Sequence, residues 1–300
     1  MEIGVALPQY GAAVPGLSAG ALAAFARGAE DAGLDAVWAS DRILTPTHPS
    51  HLYPGSGTPE KPYPEAFKVF LDPLEVLTVA ATATTRVRLG TSTLNAPFYP
   101  PVLLARSLTT LDRLSGGRLD AGFGIGWLGD EYTAVGQDFA RRGALLDEAL
   151  DVLHSMWTAH PVAHEGPRWT VPEAYVGLRP VQLPHPPVYL GGFGPAAMRR
   201  IGRRADGWVG IVCPDEMLTA LWAAARAAAD DAGRDPGALR MHLRYNPGPG
   251  ETADSVAALL DGVRKRHDPH GVFVDAQQCV ETPEAALEMA IRVKELLDAG

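Results

Sequence analysis

The 300-residue chain has only two cysteines, Cys213 and Cys279, far apart and without C-x-x-C spacing. A disulfide framework and a cysteine zinc site are thereby excluded; both thiols read as small buried hydrophobes, and no metal is expected. Long apolar runs are also missing: none approaches the ~20 residues needed to span a membrane. Positive charge is scarce, with 26 Lys and Arg against 35 Asp and Glu for a net charge of −9. Nucleic acid and anionic membranes both demand a basic footprint, so neither is an expected partner. The opening Met1-Glu2-Ile3 lacks a basic stretch leading into an apolar one, so no secretory signal is expected and the chain reads as cytoplasmic.

Glycine, by contrast, is abundant at 32 residues. Gly124-Ile125-Gly126-Trp127-Leu128-Gly129 matches the G-x-G-x-x-G turn of dinucleotide-binding folds, following the apolar run Leu119–Phe123, with Asp147 and Glu148 further on. Context decides against that reading. Short apolar runs alternate with helical stretches through the chain, giving strand candidates Ile3–Leu7, Ala36–Ser40, Val87–Thr93, Leu119–Phe123, Pro187–Gly191, Gly207–Val212, Arg240–Tyr245 and Gly271–Val274. Parallel neighbours need crossover helices, and eight βα cycles favour a closed α/β barrel, a (β/α)8 TIM barrel in one domain over residues 1–300. Gly124–Gly129 then becomes the loop after the fourth strand, at the face where such barrels place their chemistry.

Helix boundaries are explicit. Asp72-Pro73-Leu74-Glu75 combines an N-cap, a first-turn proline and a capping-box glutamate, and Thr282-Pro283 opens the last helix similarly. Pro100-Pro101 start a helix that Gly116-Gly117 close; residues 216–232 form an alanine-rich one ending at Gly233. Two connections are long. Residues 44–70, rich in proline and carrying Tyr53, follow the second strand on the active face and read as a lid or binding wall. Residues 158–186, between the fourth helix and fifth strand, read as packing or dimer surface.

Candidate sites follow from position. Asp41 ends the second strand at the catalytic face, with Arg42 beyond it. Gly191-Gly192-Phe193-Gly194 lead into a helix N-terminus, a natural cradle for phosphate. The next helix carries Arg199, Arg200, Arg203 and Arg204 on one face, read mainly as solvated. In the seventh strand, Met241, Leu243 and Tyr245 alternate with His242, Arg244 and Asn246; the polar set is expected inside the barrel, Arg244 meeting either an anionic ligand or an internal partner such as Asp275.

The segments GLDAVWASD (33–41), DPLEVLTVAATATTRVRLGTSTL (72–94), PVLLARSLTTLDRLSGGRLDAGFGIGWLGDEY (101–132) and PHPPVYLGGFGPAAMRRIGRRADGWVG (184–210), with the opening IGVALPQYG, together resemble the bacterial luciferase-like superfamily, in its branch using the deazaflavin coenzyme F420. The resemblance implies a barrel, often a homodimer, holding F420 in its mouth, with FMN as the alternative. It implies a cis peptide at Ser92-Thr93, and cofactor contacts from Asp41, Ser92, Thr93, Asn95, Gly126, Trp127 and Gly191 to Gly194. The expected activity is hydride transfer between the deazaflavin and a small organic substrate, with Tyr99, Tyr132 and Asp41 as proton donors and Arg42, Arg244 and Tyr53 on the substrate. Alternatives are an FMN monooxygenase served by a separate cofactor reductase, and a barrel without redox chemistry. Sugar-phosphate-oxidising relatives use a histidine, a tryptophan and a glutamate where this chain has Arg42, Pro46 and Trp127, so that reaction is not expected.

Overall fold

A computed structural model describes all 300 residues. The chain begins with β1 (Glu2–Ala6), α1 (Ala19–Asp31) and β2 (Ala36–Ala39). It continues through α2 (Pro73–Ala83), β3 (Arg88–Thr91), the two-residue β4 (Leu94–Asn95), α3 (Pro101–Ser115), β5 (Leu119–Gly124), α4 (Gly129–Ala134) and α5 (Arg142–Thr158). A hairpin of β6 (Val162–Glu165) and β7 (Thr170–Ala174) precedes β8 (Val188–Leu190) and α6 (Pro195–Arg204). The chain ends with β9 (Gly207–Ile211), α7 (Asp215–Asp230), β10 (Arg240–Tyr245), α8 (Ala253–His267), β11 (Gly271–Val274) and α9 (Pro283–Ala299). All strand pairings outside the hairpin are parallel, apart from an isolated antiparallel bridge between Tyr10 and Phe70, and β3 pairs with β5 to close the ring β3-β2-β1-β11-β10-β9-β8-β5. This is the (β/α)8 barrel expected from the alternation. No helix is long and apolar enough to cross a membrane.

Local signals act where the sequence puts them. Asp72 caps α2 through the N–H groups of Leu74 (2.8 Å) and Glu75 (3.2 Å), with Pro73 at the first position. Such a cap contributes about 1 kcal/mol. Gly116 ends α3 in the left-handed region at φ 71°, where a side chain would be strained. The main core lies between sheet and helices, whereas Trp38, Tyr189, Val209 and Phe273 form a separate cluster with Ala6 and Ala36. Trp38 stacks on Phe273 at 4.7 Å inside the ring. It fits only because β3 offers Gly90: a Cβ there would lie 2.3 Å from the indole. The barrel is therefore plugged at mid-height, and ligand space is confined to its C-terminal mouth.

Four readings change. Residues 158–186 hold the β6–β7 hairpin, which the sequence reading leaves unassigned; Glu148 of α5 fastens its turn by accepting from the N–H groups of Arg168 (3.0 Å) and Trp169 (2.6 Å). Asn246 lies beyond the end of β10 and is exposed, so it does not point into the barrel. The two cysteines are half-buried thiols. Arg200 and Arg204 are not solvated but tied to α5, Arg200 to Asp147 at 2.7 and 2.8 Å and Arg204 to Asp147 and Asp151; Arg199 and Arg203 are exposed.

Candidate active site

The strand ends and the loops after them enclose a cavity of about 330 Å³. Ser40, Asp41 and Arg42 enter from the end of β2, Ser92, Thr93 and Asn95 from β3–β4, and Gly124 to Trp127 from β5. Gly191 to Phe193 come from β8, Val209 to Ile211 from β9 and Arg244 from β10, while Tyr53, Phe67 and Phe70 close one side from the lid. The Ser92-Thr93 peptide is cis, as expected.

Small residues shape the wall. A Cβ on Gly124 would lie 2.3 Å from Thr93 Oγ1, and one on Gly191 would lie 3.1 Å from Thr93 Cγ2. Gly126 sits at φ 65° beside Phe98, and Gly192 at φ 134° with Ala197 Cβ 2.6 Å from where its own Cβ would be. Those positions let the backbone form a smooth surface for a flat ring. Gly194 caps α6 without a side-chain bond, and a Cβ on it would meet nothing within 4 Å, so the N–H groups that follow Pro195 in the first turn have no side-chain cap. An anionic group is favoured there by both the donors and the helix dipole.

Asp41 is one of two carboxyls that line the mouth, with Glu131. Asp41 Oδ2 accepts the Asn95 N–H at 2.8 Å, and the Asn95 amide returns a bond to the Asp41 carbonyl at 3.3 Å. Burial nevertheless pushes the Asp41 carboxyl up to about 7, the Asn95 bond and the Tyr99 hydroxyl opposing and Glu131 and Asp72 adding. A carboxyl there can hold or release a proton near neutral pH. Tyr99 itself does not line the cavity and is pushed upward, first by burial and then by Asp41, so it supports Asp41 from behind.

Tyr132 is not brought to the cavity. It is fully buried between Phe98 and Phe139, and its hydroxyl donates to the Ile125 carbonyl. Arg42 and Tyr53 do line the mouth: the Arg42 guanidinium lies 4.7 Å from the Trp127 ring and 4.9 Å from Phe67, and Tyr53 meets Phe67 and Trp127 edge-on. Arg244 also lines it, yet it is neutralised from within by an ion pair with Asp275 and reaches Ser40 Oγ at 3.1 Å.

Several residues were not anticipated. Gln9 fixes the end of β2 by accepting the Ser40 N–H at 2.5 Å and donating to the Ser40 carbonyl at 2.8 Å. Glu131, 1% exposed, faces Arg42 and accepts the Ile43 N–H at 3.0 Å, tying α4 to the start of the lid. Phe70 stacks on Tyr10 and Phe67 meets it edge-on, and both phenylalanines wall the cavity. Their only sequence signal is the aromatic content of a proline-rich loop.

The fold is a plugged parallel (β/α)8 barrel whose open end gathers a half-buried carboxyl, two arginines and a glycine-rich turn. The chain belongs to the luciferase-like monooxygenase family, whose model matches residues 1–295. It is 33% identical over 244 residues to the Mycobacterium tuberculosis protein Rv0953c, covering 77% of this chain and 81% of that one. It is 30% identical over 256 residues to the F420-dependent glucose-6-phosphate dehydrogenase of Kineococcus radiotolerans, covering 82% and 70%. The monooxygenase RslO1 from Streptomyces bottropensis has the same fold, with a TM-score of 0.81, 23% identity and coverage of 100% and 99%.

Proposed function

We propose that the chain is a coenzyme F420-dependent oxidoreductase moving hydride between the deazaflavin C5 and a small organic substrate. The reaction would reduce an electron-poor C=C or C=N, or oxidise an alcohol in the opposite direction. The observation that carries this reading is Asp41, a carboxyl that lines the mouth of the cavity, is held by the Asn95 N–H at 2.8 Å and is pushed up to about 7 by burial. Hydride transfer to such bonds needs a matched proton, and a group titrating near the working pH exchanges one most effectively. The dehydrogenase relationship supports the same cofactor.

The residues fit the group. Gly124, Gly126, Gly191 and Gly192 leave room for a planar ring between β5 and β8, with Ser92, Thr93, Asn95, Trp127 and Phe193 around it. Gly194 and the open start of α6 suit its phosphate, and exposed Arg199 and Arg203 on that helix suit an acidic tail. When bound, the deazaflavin supplies hydride chemistry; the protein binds, orients and manages the proton at Asp41 Oδ. Arg42, held against Trp127 and Phe67, presents a cation to the substrate side.

FMN-dependent monooxygenation is the second reading, favoured by the likeness to RslO1, and would require a reductase as partner. That chemistry calls for a site shielded from water; the polar lining from Ser40, Asp41, Arg42, Asn95, Glu131 and Arg244 suits it less well. A fluorescence titration of the purified chain with F420 and FMN in parallel tests both. Micromolar or tighter F420 binding with weak FMN binding is expected. The opposite preference would select the monooxygenase, and binding of neither would leave a barrel without redox function.

A further inference from the structure

At the closed end of the barrel, opposite the cavity, three ligating side chains converge from three strands. Glu2 opens β1, His242 lies in β10, and His270 immediately precedes β11. Register brings them level: Gly271 pairs with Glu2 on one side and His242 on the other. The backbone fixes this, since Glu2 donates to the His270 carbonyl and His270 to the Met241 carbonyl, each at 2.8 Å. One carboxylate oxygen and one ring nitrogen from each histidine all lie within 4.8 Å of one another. Glu2 Oε1 is 3.3 Å from His270 Nε2.

His242 is the anomaly. It is 3% exposed, wedged against Trp38, Tyr189 and His270, and makes no hydrogen bond; its Nε2 is buried without a partner. Buried polar atoms are normally satisfied, so such a ring needs an explanation. The position is built to admit it: a Cβ on Gly271 would lie 2.9 Å from His242 Nδ1. An apolar residue would fill the same space without the cost of a lone imidazole.

We propose that Glu2, His242 and His270 form a binding site for a divalent transition-metal ion, of the zinc, cobalt or nickel kind, that clamps the base of the barrel. Two imidazoles and one carboxylate suit such ions better than calcium or magnesium, which prefer all-oxygen shells. Bonds of about 2.0–2.2 Å require the three donors to draw slightly closer. Glu2 and His270, each about one-third exposed, are free to rotate inward, and they give the ion a path from solvent. The neighbouring Arg88 does not oppose the charge unbalanced, because Asp120 pairs with it at 2.6 Å. The clamp would join β1 to β10 and β11, the seam where the first strand meets the last.

The test uses the full chain after chelation and dialysis, titrated with Zn²⁺ by calorimetry and with Co²⁺ by visible absorption. Wild type is expected to bind one Zn²⁺ per chain and to unfold at higher temperature with the ion present. His270→Ala and Glu2→Gln, both at partly exposed positions that the fold tolerates, are expected to weaken binding at least about 10-fold and to abolish the thermal shift. His185→Ala serves as a control, because His154 and His185 also lie close, with ring centres 5.6 Å apart. No saturable binding by wild type, or binding that survives His270→Ala and is lost in His185→Ala, would overturn the proposal.

Discussion

Arg42 and Glu131 face each other across the mouth of the barrel at 3.7 Å, and neither is free to leave: the arginine is wedged between Trp127 and Phe67, the glutamate is 1% exposed. The pairing is incomplete, because Arg42 Nη1 has no hydrogen-bond partner. Nη1 is itself the atom turned toward Glu131 and is buried, so charge and the two aromatic rings, not a hydrogen bond, hold the arginine where it lines the cavity.

Replacing one member should therefore separate binding from stability. Arg42→Met strands a buried carboxylate and is expected to cost about 3 kcal/mol, with KM for any turned-over substrate rising more than F420 affinity falls. Arg42→Met combined with Glu131→Leu should recover most of the stability and none of the substrate affinity. Chemical denaturation and steady-state kinetics on the three proteins read the two effects; equal loss of F420 and substrate binding would remove Arg42 from the substrate side.

Asp41 gives a pH prediction of definite sign. Its carboxyl is raised from 3.8 to about 7 by burial, so between those values the folded protein holds a proton the unfolded chain has lost. The slope of stability with pH is then negative: this group weakens the fold as pH rises from about 4 to about 7. Asp41→Asn should flatten that decline and raise the denaturation midpoint at pH 8 relative to wild type. Turnover in the same variant should fall about 10²-fold or more, since a general acid–base group contributes on that scale. A variant with full turnover would pass the proton role to another group.

Glycine substitutions test the cradle before α6. Gly192→Ala meets two obstacles, φ 134° and Ala197 at 2.6 Å, whereas a methyl group at Gly194 meets nothing within 4 Å. Gly192→Ala is expected to reduce F420 affinity at least about 10-fold by moving the turn away from the position for close backbone approach. Gly194→Ala should leave affinity near wild type. Titration of both variants under the same conditions checks the contrast, and equal behaviour would place the phosphate elsewhere.

How much of this was legible beforehand depends on the distance over which each feature is set. The eight strands, the cap at Asp72 and the stop at Gly116 are local, written in alternation and turn chemistry within a few residues. Period-two alternation fixes which face a strand residue takes, so the sequence alone puts Arg244 inside the barrel, where its partner is Asp275. Tyr132, expected at the cavity, lies away from it for the complementary reason. It sits on the six-residue α4, where nothing local reveals that Phe98 and Phe139 enclose it. Glu131, one residue earlier, reaches Arg42 and Ile43 across 88 positions or more of chain, a contact only the closed barrel creates. The β6–β7 hairpin leaves no such signal, because its strands are largely exposed and lack the apolar alternation of the core.

The Arg244–Asp275 pair carries the last prediction. Asp275 has no exposed surface and receives the Tyr10 hydroxyl at 2.9 Å and the Gln277 N–H at 3.3 Å besides the guanidinium. A charge in β10 and one just past the end of the adjacent β11 thus neutralise each other under the cavity, and Arg244 still reaches Ser40, just past the end of β2. Arg244→Met leaves the carboxylate buried and uncompensated, which should cost about 3–5 kcal/mol and lower the denaturant midpoint accordingly. Asp275→Asn keeps the shape but leaves a buried cation under the mouth, so it should draw anions into the cavity: inhibition by simple carboxylates or phosphate would strengthen relative to wild type. Arg244→Met with Asp275→Leu removes both charges and should regain much of the stability. If Arg244→Met alone proves as stable as wild type while substrate binding collapses, the arginine serves a ligand rather than the barrel, and the ion pair is its resting state.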